Sequence, residues 1–364
     1  MNATKKIAIL GAGLLGRLLA YELARIGCRV EVFEKNTSTH SDAAAYIAAA
    51  MLAPLAESVS TETNIVEMGY YSLKRWPSIL AGLEQSVFFQ QEGSLIVWHQ
   101  QDQSSAAHFK QQLQSVNQAL PNIPVPEMLN KNQLFLLEPQ LSQQFEAGIF
   151  LPREAQLDNR ELLVALLHEG VKLGVQYHWE QSISLKDFPY DHFDDVIDCR
   201  GMGSKNDLEQ LRGVRGEVLR VFAPEVELKR PTRLIHPKYP LYIAPKRNHL
   251  FVIGATEIES EDDSPISVRS TLELLSAAYT VHSGFAEARI IEASAKCRPS
   301  FKDNLPRIMR SNNKLLQVNG LYRHGFLIAP AIVDSLLSLV IDNNESTADQ
   351  FHIAIQESSY ENIC

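Results

Sequence analysis

Apolar positions run without a break from Ile7 to Leu10, and the segment Lys5 to Leu10 is predicted to be a short buried strand. From Leu14 to Ile26 the apolar residues recur every three or four positions, the period of an amphipathic helix, and Arg29 to Glu34 returns to strand. The chain therefore opens with a βαβ unit. Asn64 to Leu83 and Ser104 to Leu120 predict helices, with a strand at Gly93 to Trp98 between them. Pro121, Pro124 and Pro126 then break the pattern and mark a surface loop or linker. Asp158 and Glu161 stand at capping-box spacing before an apolar helix that runs to about Leu173, and Gly174 follows as a C-terminal stop. Phe193 to Cys199 is a further buried strand, ending in Gly201. Between Gly216 and Lys296 the character changes: Gly216 to Phe222, Leu241 to Pro245 and Leu250 to Ala255 predict antiparallel strands, the last two joined as a hairpin through Lys246 to His249. Strand Leu315 to Val318 and helix Ala329 to Ile341 restore the opening pattern. This is the layout of an α/β protein, with a Rossmann-like nucleotide domain assembled from the discontinuous segments 1–85, 145–215 and 297–364. An α+β substrate domain with an antiparallel sheet takes segments 86–144 and 216–296. The alanine-dominated run Ala43 to Ala53 suits either a helix or a wall of small side chains beside a bulky cofactor, and composition leaves both open.

Composition narrows the class without naming a chemistry. The length of 364 residues fits about two domains, and 45% hydrophobic with 21% charged residues is ordinary for a globular chain. The formal charge is −9 and no basic cluster stands out, so no nucleic-acid partner is expected. Cys28, Cys199, Cys297 and Cys364 lie far apart with no C-x-x-C pair, which points away from a metal site and fits a reducing compartment. Met1 to Lys6 runs directly into the first strand without the pattern of a leader, so a cytoplasmic location is expected. The apolar stretches are interrupted before the roughly 18 residues a spanning helix needs, so no membrane span is expected.

The first chemical signal is Gly11-Ala12-Gly13-Leu14-Leu15-Gly16, between the first strand and first helix, with Glu34 at the end of the second strand. Gly11 permits a tight turn, Gly13 admits a pyrophosphate to the backbone, and Gly16 lets helix and strand pack closely. The helix N-terminus faces the anion, and Glu34 would accept from a ribose. A lone motif of this kind is weak, but here strand, helix and acid are all in place. It does not separate NAD from FAD. A dehydrogenase would continue with further βαβ units, whereas this chain leaves for helices and antiparallel strands and returns twice.

Four further segments carry a resemblance. Ala48-Ala49-Ala50-Met51-Leu52-Ala53-Pro54 is similar to the small-residue segment after the second strand in the glycine oxidase and D-amino acid oxidase family, in particular its thiamine-pathway glycine oxidases. Tyr242-Ile243-Ala244-Pro245-Lys246 with Val252-Ile253-Gly254-Ala255-Thr256 resembles the family's substrate-domain hairpin. Cys297-Arg298-Pro299, followed by Asp303, Pro306 and Ile308, resembles the segment that carries its carboxylate-binding arginine. Tyr322-Arg323-His324-Gly325-Phe326-Leu327-Ile328-Ala329-Pro330-Ala331 resembles the loop under the flavin and the helix it opens. The resemblance implies an FAD-binding domain and an isoalloxazine held between the two domains. It also implies oxidation of a small amino acid or amine by hydride transfer to flavin N5, with imine hydrolysis and reoxidation by oxygen.

By that resemblance Arg298 anchors the substrate carboxylate, Tyr242 donates its hydroxyl to the same group, and Arg323 lies near the substrate. The cofactor is held by Gly11, Gly13, Leu14, Leu15, Gly16, Glu34 and Lys35, by Ala49, Ala50 and Met51, by Gly201, and by His324, Gly325, Phe326, Leu327 and Ile328. The residues agree: a planar guanidinium suits bidentate carboxylate binding, and the N–H groups opening the last helix would stabilise negative charge near flavin N1 and the C2 carbonyl. A neutral amine needs proximity and alignment, so no general base is named. Three departures bear on the substrate. Ala50 stands where the family commonly has glycine, and Cys199-Arg200 precedes Gly201 where it has small residues, so that Arg200 either pairs with a phosphate or faces solvent. Cys297 lies one residue out of register with the cysteine to which related sarcosine oxidases attach flavin, and either a covalent link or a buried thiol fits. A dehydrogenase using another electron acceptor and a flavoenzyme acting on a protein partner in cofactor maturation both remain open, as does a homo-oligomer.

Overall fold

The computed structural model describes residues 4–39, 42–141, 143–235, 241–311 and 314–357, so Met1 and Cys364 lie outside the described residues. The opening βαβ unit builds a seven-stranded sheet in the order Ala354–Glu357, Arg307–Arg310, Leu315–Asn319, Asp195–Asp198, Lys6–Leu10, Arg29–Phe33 and Gln176–His178. All neighbours are parallel except the pair Arg307–Arg310 and Leu315–Asn319. The period of two along the first strand explains its place. Ile7 and Ile9 face a large core with Leu18, Trp76, Leu327 and Ile332, while Ala8 and Leu10 face a second cluster with Phe188 and Phe193. Each such fully buried aliphatic contributes roughly 1.5–3 kcal/mol.

A second, eight-stranded sheet runs Arg289–Ser300, Arg212–Phe222, Leu250–Gly254, Leu241–Pro245, Thr232–Leu234, Ser94–Val97, Ala147–Leu151 and Glu127–Asn130. Its pairs are antiparallel except for Thr232–Leu234 against Ser94–Val97. By its position in the chain Ala147–Leu151 belongs with the nucleotide segments, yet it pairs here. A short apolar run does not encode which sheet it joins, and Ser94–Val97 supplies the partner. Two long strands also cross the boundaries drawn at 215/216 and 296/297, because Arg212–Phe222 and Arg289–Ser300 pair along their whole lengths. Met51–Leu52, Ala155–Leu157 and Phe89–Gln90 form a small third sheet.

The alanine run is not a helix. It makes one 3-10 turn, Ala44–Tyr46, and then extends into strand Met51–Leu52. Helix propensity loses because tertiary donors take its carbonyls. Asn159 Nδ2 donates to Ala45 O and Tyr46 O at 2.8 and 2.7 Å, and Lys246 Nζ donates to Ala49 O at 2.9 Å. Asp158 caps helix Asn159–Lys172 by accepting from Arg160 N and Glu161 N. The box stays half-formed because the Glu161 carboxylate accepts from Phe88 N instead. The segment Tyr322–Ile341, with mean hydropathy 1.8, has the length and composition of a membrane span, longer than expected because Pro330 and Asp334 do not break it. It is a core helix: 72% of that stretch is buried, against helices Leu14–Arg25 and Thr63–Ala81.

Candidate active site

A cavity of about 640 Å³ lies where the two large sheets meet. At one end, Gly11 adopts φ +96°, in the left-handed region, and its N–H donates to Phe33 O at 2.7 Å, which closes the first turn. Gly16 does not line the cavity. A Cβ there would stand 1.9 Å from Gly11 O, so its role is the close packing of helix on turn. Glu34 accepts from Ala12 N at 2.8 Å through one oxygen and from Asn36 N and Nδ2 at 3.0 Å through the other, so it braces the turn as well as facing the cavity.

The remaining residues expected to hold a cofactor come together here with one exception. Gly13, Leu14, Leu15, Lys35, Ala49, Ala50, Met51 and Gly201 line the cavity, as do His324, Gly325, Phe326 and Leu327. Ile328 is fully buried in the core instead. Two helices, Leu14–Arg25 and Gly325–Ile341, begin at this cavity, and neither N-terminus is capped by a side chain. Orphan N–H groups with positive dipole ends at both places suit a ligand carrying two acceptor-rich regions. Trp76 Nε1 donates to Phe326 O at 3.1 Å and steadies the second of these turns.

Arg200 takes neither of the roles expected of it. It forms a double contact with Asp198, pairs with Asp207 at 2.6 Å, and donates to Ile183 O at 2.9 Å. Its charge is used to brace the Gly201 turn. Cys297 lines the cavity, but burial and a contact with Asp263 push its thiol up to about 11, and Sγ faces the carbonyls of Ser260 and Asp262 at 3.6 and 3.7 Å. Such a thiol is protonated and unreactive at neutral pH.

At the opposite end lie Arg298, Tyr242 and Arg323, and they are not equivalent. The two Arg298 guanidinium NH2 groups each donate to Thr256 O at 3.2 Å, and one also reaches Arg215 O at 3.4 Å. Among the described residues no carboxylate pairs with it, and burial lowers its pKa. Gly216 makes this placement possible, since a Cβ there would stand 2.2 Å from Arg298 Nη2. Tyr242 and Arg323 are instead held by Glu57, which the motifs do not mark. Tyr242 Oη donates to Glu57 Oε1 at 2.5 Å, and Arg323 Nε lies 2.8 Å from Glu57 Oε2. Arg323 also donates to Glu257 at 2.8 Å and to Ser60 Oγ at 2.5 Å. Burial would raise the Glu57 carboxyl, but Arg323, His324 and Arg233 hold it at about 2. His324 is pushed down to about 4, chiefly by burial, so it is neutral at pH 7 and its 3.7 Å approach to Glu57 is not an ion pair. Glu57 was hidden because its partner Tyr242 is 185 residues away in sequence.

Residues 6–335 match the family of FAD-dependent oxidoreductases designated DAO. The chain belongs to this family. It is 38% identical over 331 residues to a putative thiamine biosynthesis oxidoreductase of Rhizobium etli, covering 90% of this chain and 94% of that protein. It is 24% identical over 371 residues to a glycine oxidase of Geobacillus kaustophilus, covering 94% of each. The fold is shared with the crystal structure of iminodiacetate oxidase from Chelativorans sp. BNC1, with TM-score 0.80, 21% identity, and 96% and 100% of the two chains covered. As a DAO-family oxidoreductase the protein uses FAD. The cavity fits it: two uncapped helix starts, a glycine turn without side chains, an alanine wall and the Glu34 carboxylate occur along one continuous space.

Proposed function

We propose that this protein oxidises a small amino acid or amine of the glycine or D-amino acid type, with oxygen as the terminal electron acceptor, and that this oxidation serves thiamine biosynthesis. The observation that carries the substrate class is Arg298: a guanidinium lining the cavity, hydrogen-bonded only to carbonyls and free of any carboxylate among the described residues. A half-buried cation without a counter-ion is costly, and a substrate carboxylate answers that cost with bidentate geometry. The identity with the Rhizobium etli protein supports the thiamine role.

Bound FAD supplies a two-electron hydride acceptor at its N5. The chain's own residues do the positioning. Arg298 fixes the carboxylate and so sets where the adjacent carbon lies. Tyr242 is committed to Glu57 through its hydroxyl, so its ring shapes the cavity and its proton is not offered to the carboxylate, contrary to the expectation from sequence. His324, neutral at pH 7, adds no charge beside the reacting amine. Water completes the reaction by hydrolysing the released imine to a 2-oxo acid and ammonia, or methylamine from sarcosine, while oxygen takes the two electrons and leaves as hydrogen peroxide.

Anaerobic mixing of the yellow protein with glycine, sarcosine and D-alanine tests this, the expected outcome being bleaching of the flavin band by at least one of them. Arg298→Ala should keep FAD and lose about 2–5 kcal/mol of substrate binding, roughly 30-fold to several-thousand-fold. Arg298→Lys should recover only part, because a point charge does not reproduce the fork. Bleaching of Arg298→Ala at the wild-type rate and concentration would exclude the anchor.

A further inference from the structure

Two arginines line the substrate end of the cavity, which by charge alone would favour a substrate with two carboxylates. Their surroundings differ. Every nitrogen of Arg323 has a close partner: one terminal nitrogen donates to Glu257 at 2.8 Å, the other donates to Ser60 at 2.5 Å, and Nε lies 2.8 Å from Glu57 as an ion pair without a hydrogen bond. Glu57 is ionised and also accepts from Tyr242 at 2.5 Å. Arg233 lies over the Tyr242 ring at 5.4 Å but donates to Ala56 O at 2.6 Å and does not line the cavity. Of these two cavity-lining arginines, Arg298 has only carbonyls as hydrogen-bond partners among the described residues.

We propose that Glu57 is a specificity-determining residue: by pairing with Arg323, alongside Glu257, and by taking the Tyr242 hydroxyl, it leaves Arg298 as the cavity guanidinium that no carboxylate engages among the described residues, so the site accepts monocarboxylates and rejects dicarboxylates. This rests on the amino-acid reading above and refines it. The physical basis is discrimination by repulsion. A second carboxylate placed beside Arg323 would meet the Glu57 carboxylate and would have to displace hydrogen bonds already made. Removing the Glu57 charge while keeping the side-chain shape takes away one of the two carboxylates that neutralise Arg323, leaving Glu257 on a terminal nitrogen, so that Arg323 has net charge to offer a new anion.

Calorimetric titration of the FAD-loaded protein with acetate, malonate and succinate, none of which carries an amine to oxidise, reads binding without turnover. Wild type should bind acetate about 10-fold or more tightly than either diacid. In Glu57→Gln the ratio of diacid to acetate affinity should rise by about 10-fold or more for whichever diacid spans the two guanidinium groups, and in Glu57→Gln combined with Arg323→Gln it should fall back. The double variant separates release of Arg323 from a general loosening of the site. Equal wild-type affinity for acetate and a diacid overturns the proposal without any variant, and so settles the matter if Glu57→Gln does not accumulate. An unchanged ratio in Glu57→Gln, or a raised ratio that persists in the double variant, also overturns it. Failure of wild type to bind acetate at all would overturn the carboxylate reading itself, whereas binding without discrimination overturns only the role of Glu57.

Discussion

Two small residues decide how the chemistry-bearing side chains are presented. Gly216 lies in strand Arg212–Phe222, and the space its missing Cβ leaves is filled by the Arg298 guanidinium, with Cζ 2.3 Å from where that Cβ would stand. Gly216→Ala is therefore expected to leave the unfolding midpoint in urea near wild type, because the clash falls on the mobile end of a side chain. Acetate affinity should drop by about 10-fold or more as the guanidinium is pushed off its carbonyl partners. A variant that bound acetate normally would show that Arg298 has another route into the cavity. Ala50 presents the reverse case. It holds φ 51° and is buried, an L-residue where the left-handed region costs about 1–2 kcal/mol. Glycine removes that cost but adds about 0.4–1 kcal/mol of unfolded-state entropy. Ala50→Gly is thus expected to raise stability by up to about 1 kcal/mol, measured as a shift in denaturant midpoint with unchanged slope. The departure from the family's glycine was legible in sequence. Its cause was not, because the carbonyls on either side of the Ala50 turn are held from elsewhere in the chain, that of Ala49 by Lys246 and that of Ala50 by Leu157 N.

At the scale of elements, the short helix Pro54–Glu57 carries Glu57 to the cavity, and it is pinned from beneath by Glu154. One oxygen of that buried carboxyl accepts from Leu55 N and Ala56 N at 2.8 Å, and the other meets Ser94 Oγ. Burial outweighs these hydrogen bonds and pushes Glu154 up to about 7 from the ordinary 4.5, whereas Glu57 is held at about 2. The signs oppose. The folded protein binds more protons than the unfolded chain through Glu154 between pH 4.5 and 7, so this group makes stability fall as pH rises across that window. Glu57 contributes stability above pH 4.5 and loses it as pH falls towards 2. Glu154→Gln, which retains an acceptor for the two N–H groups, should flatten the first slope, an effect on the order of 3 kcal/mol across the window. Urea titrations at pH 4.5 and 7 check it, and identical slopes for variant and wild type would mean that Glu154 ionises normally. Elements of this kind mark the limit of sequence reading. The βαβ start, the hairpin through Lys246 to His249 and the last helix follow from period and turn residues alone. The sheet joined by Ala147–Leu151, the extended alanine wall and the Pro54–Glu57 turn depend on partners distant in the chain, which periodicity does not encode.

The whole molecule is organised around one space bounded by residues from Gly11 to Leu327, contributed by both large sheets. The site was legible where glycine and arginine motifs mark it, and illegible where Glu57 and Gly216 complete it. Four segments supply much of the cavity wall: the Gly11 turn, the Ala43 to Ala50 segment, the Gly201 turn and the Tyr322 to Leu327 turn. Their cavity-facing surfaces gain partners when a cofactor is bound, which should order them further and favour the folded state by mass action. Removing FAD is therefore expected to lower the thermal midpoint. Adding FAD back should raise it with the logarithm of concentration, by roughly 2.7 kcal/mol of stability at 100 times its dissociation constant. NAD at the same concentration should leave the midpoint where it was. Hydrogen exchange should show where the gain resides. FAD should slow exchange in the four wall segments, while helix Gln103–Ala119, which does not line the cavity, exchanges as before. Protection spread evenly over the chain, or an equal response to NAD, would mean that the space between the sheets is not where the cofactor binds.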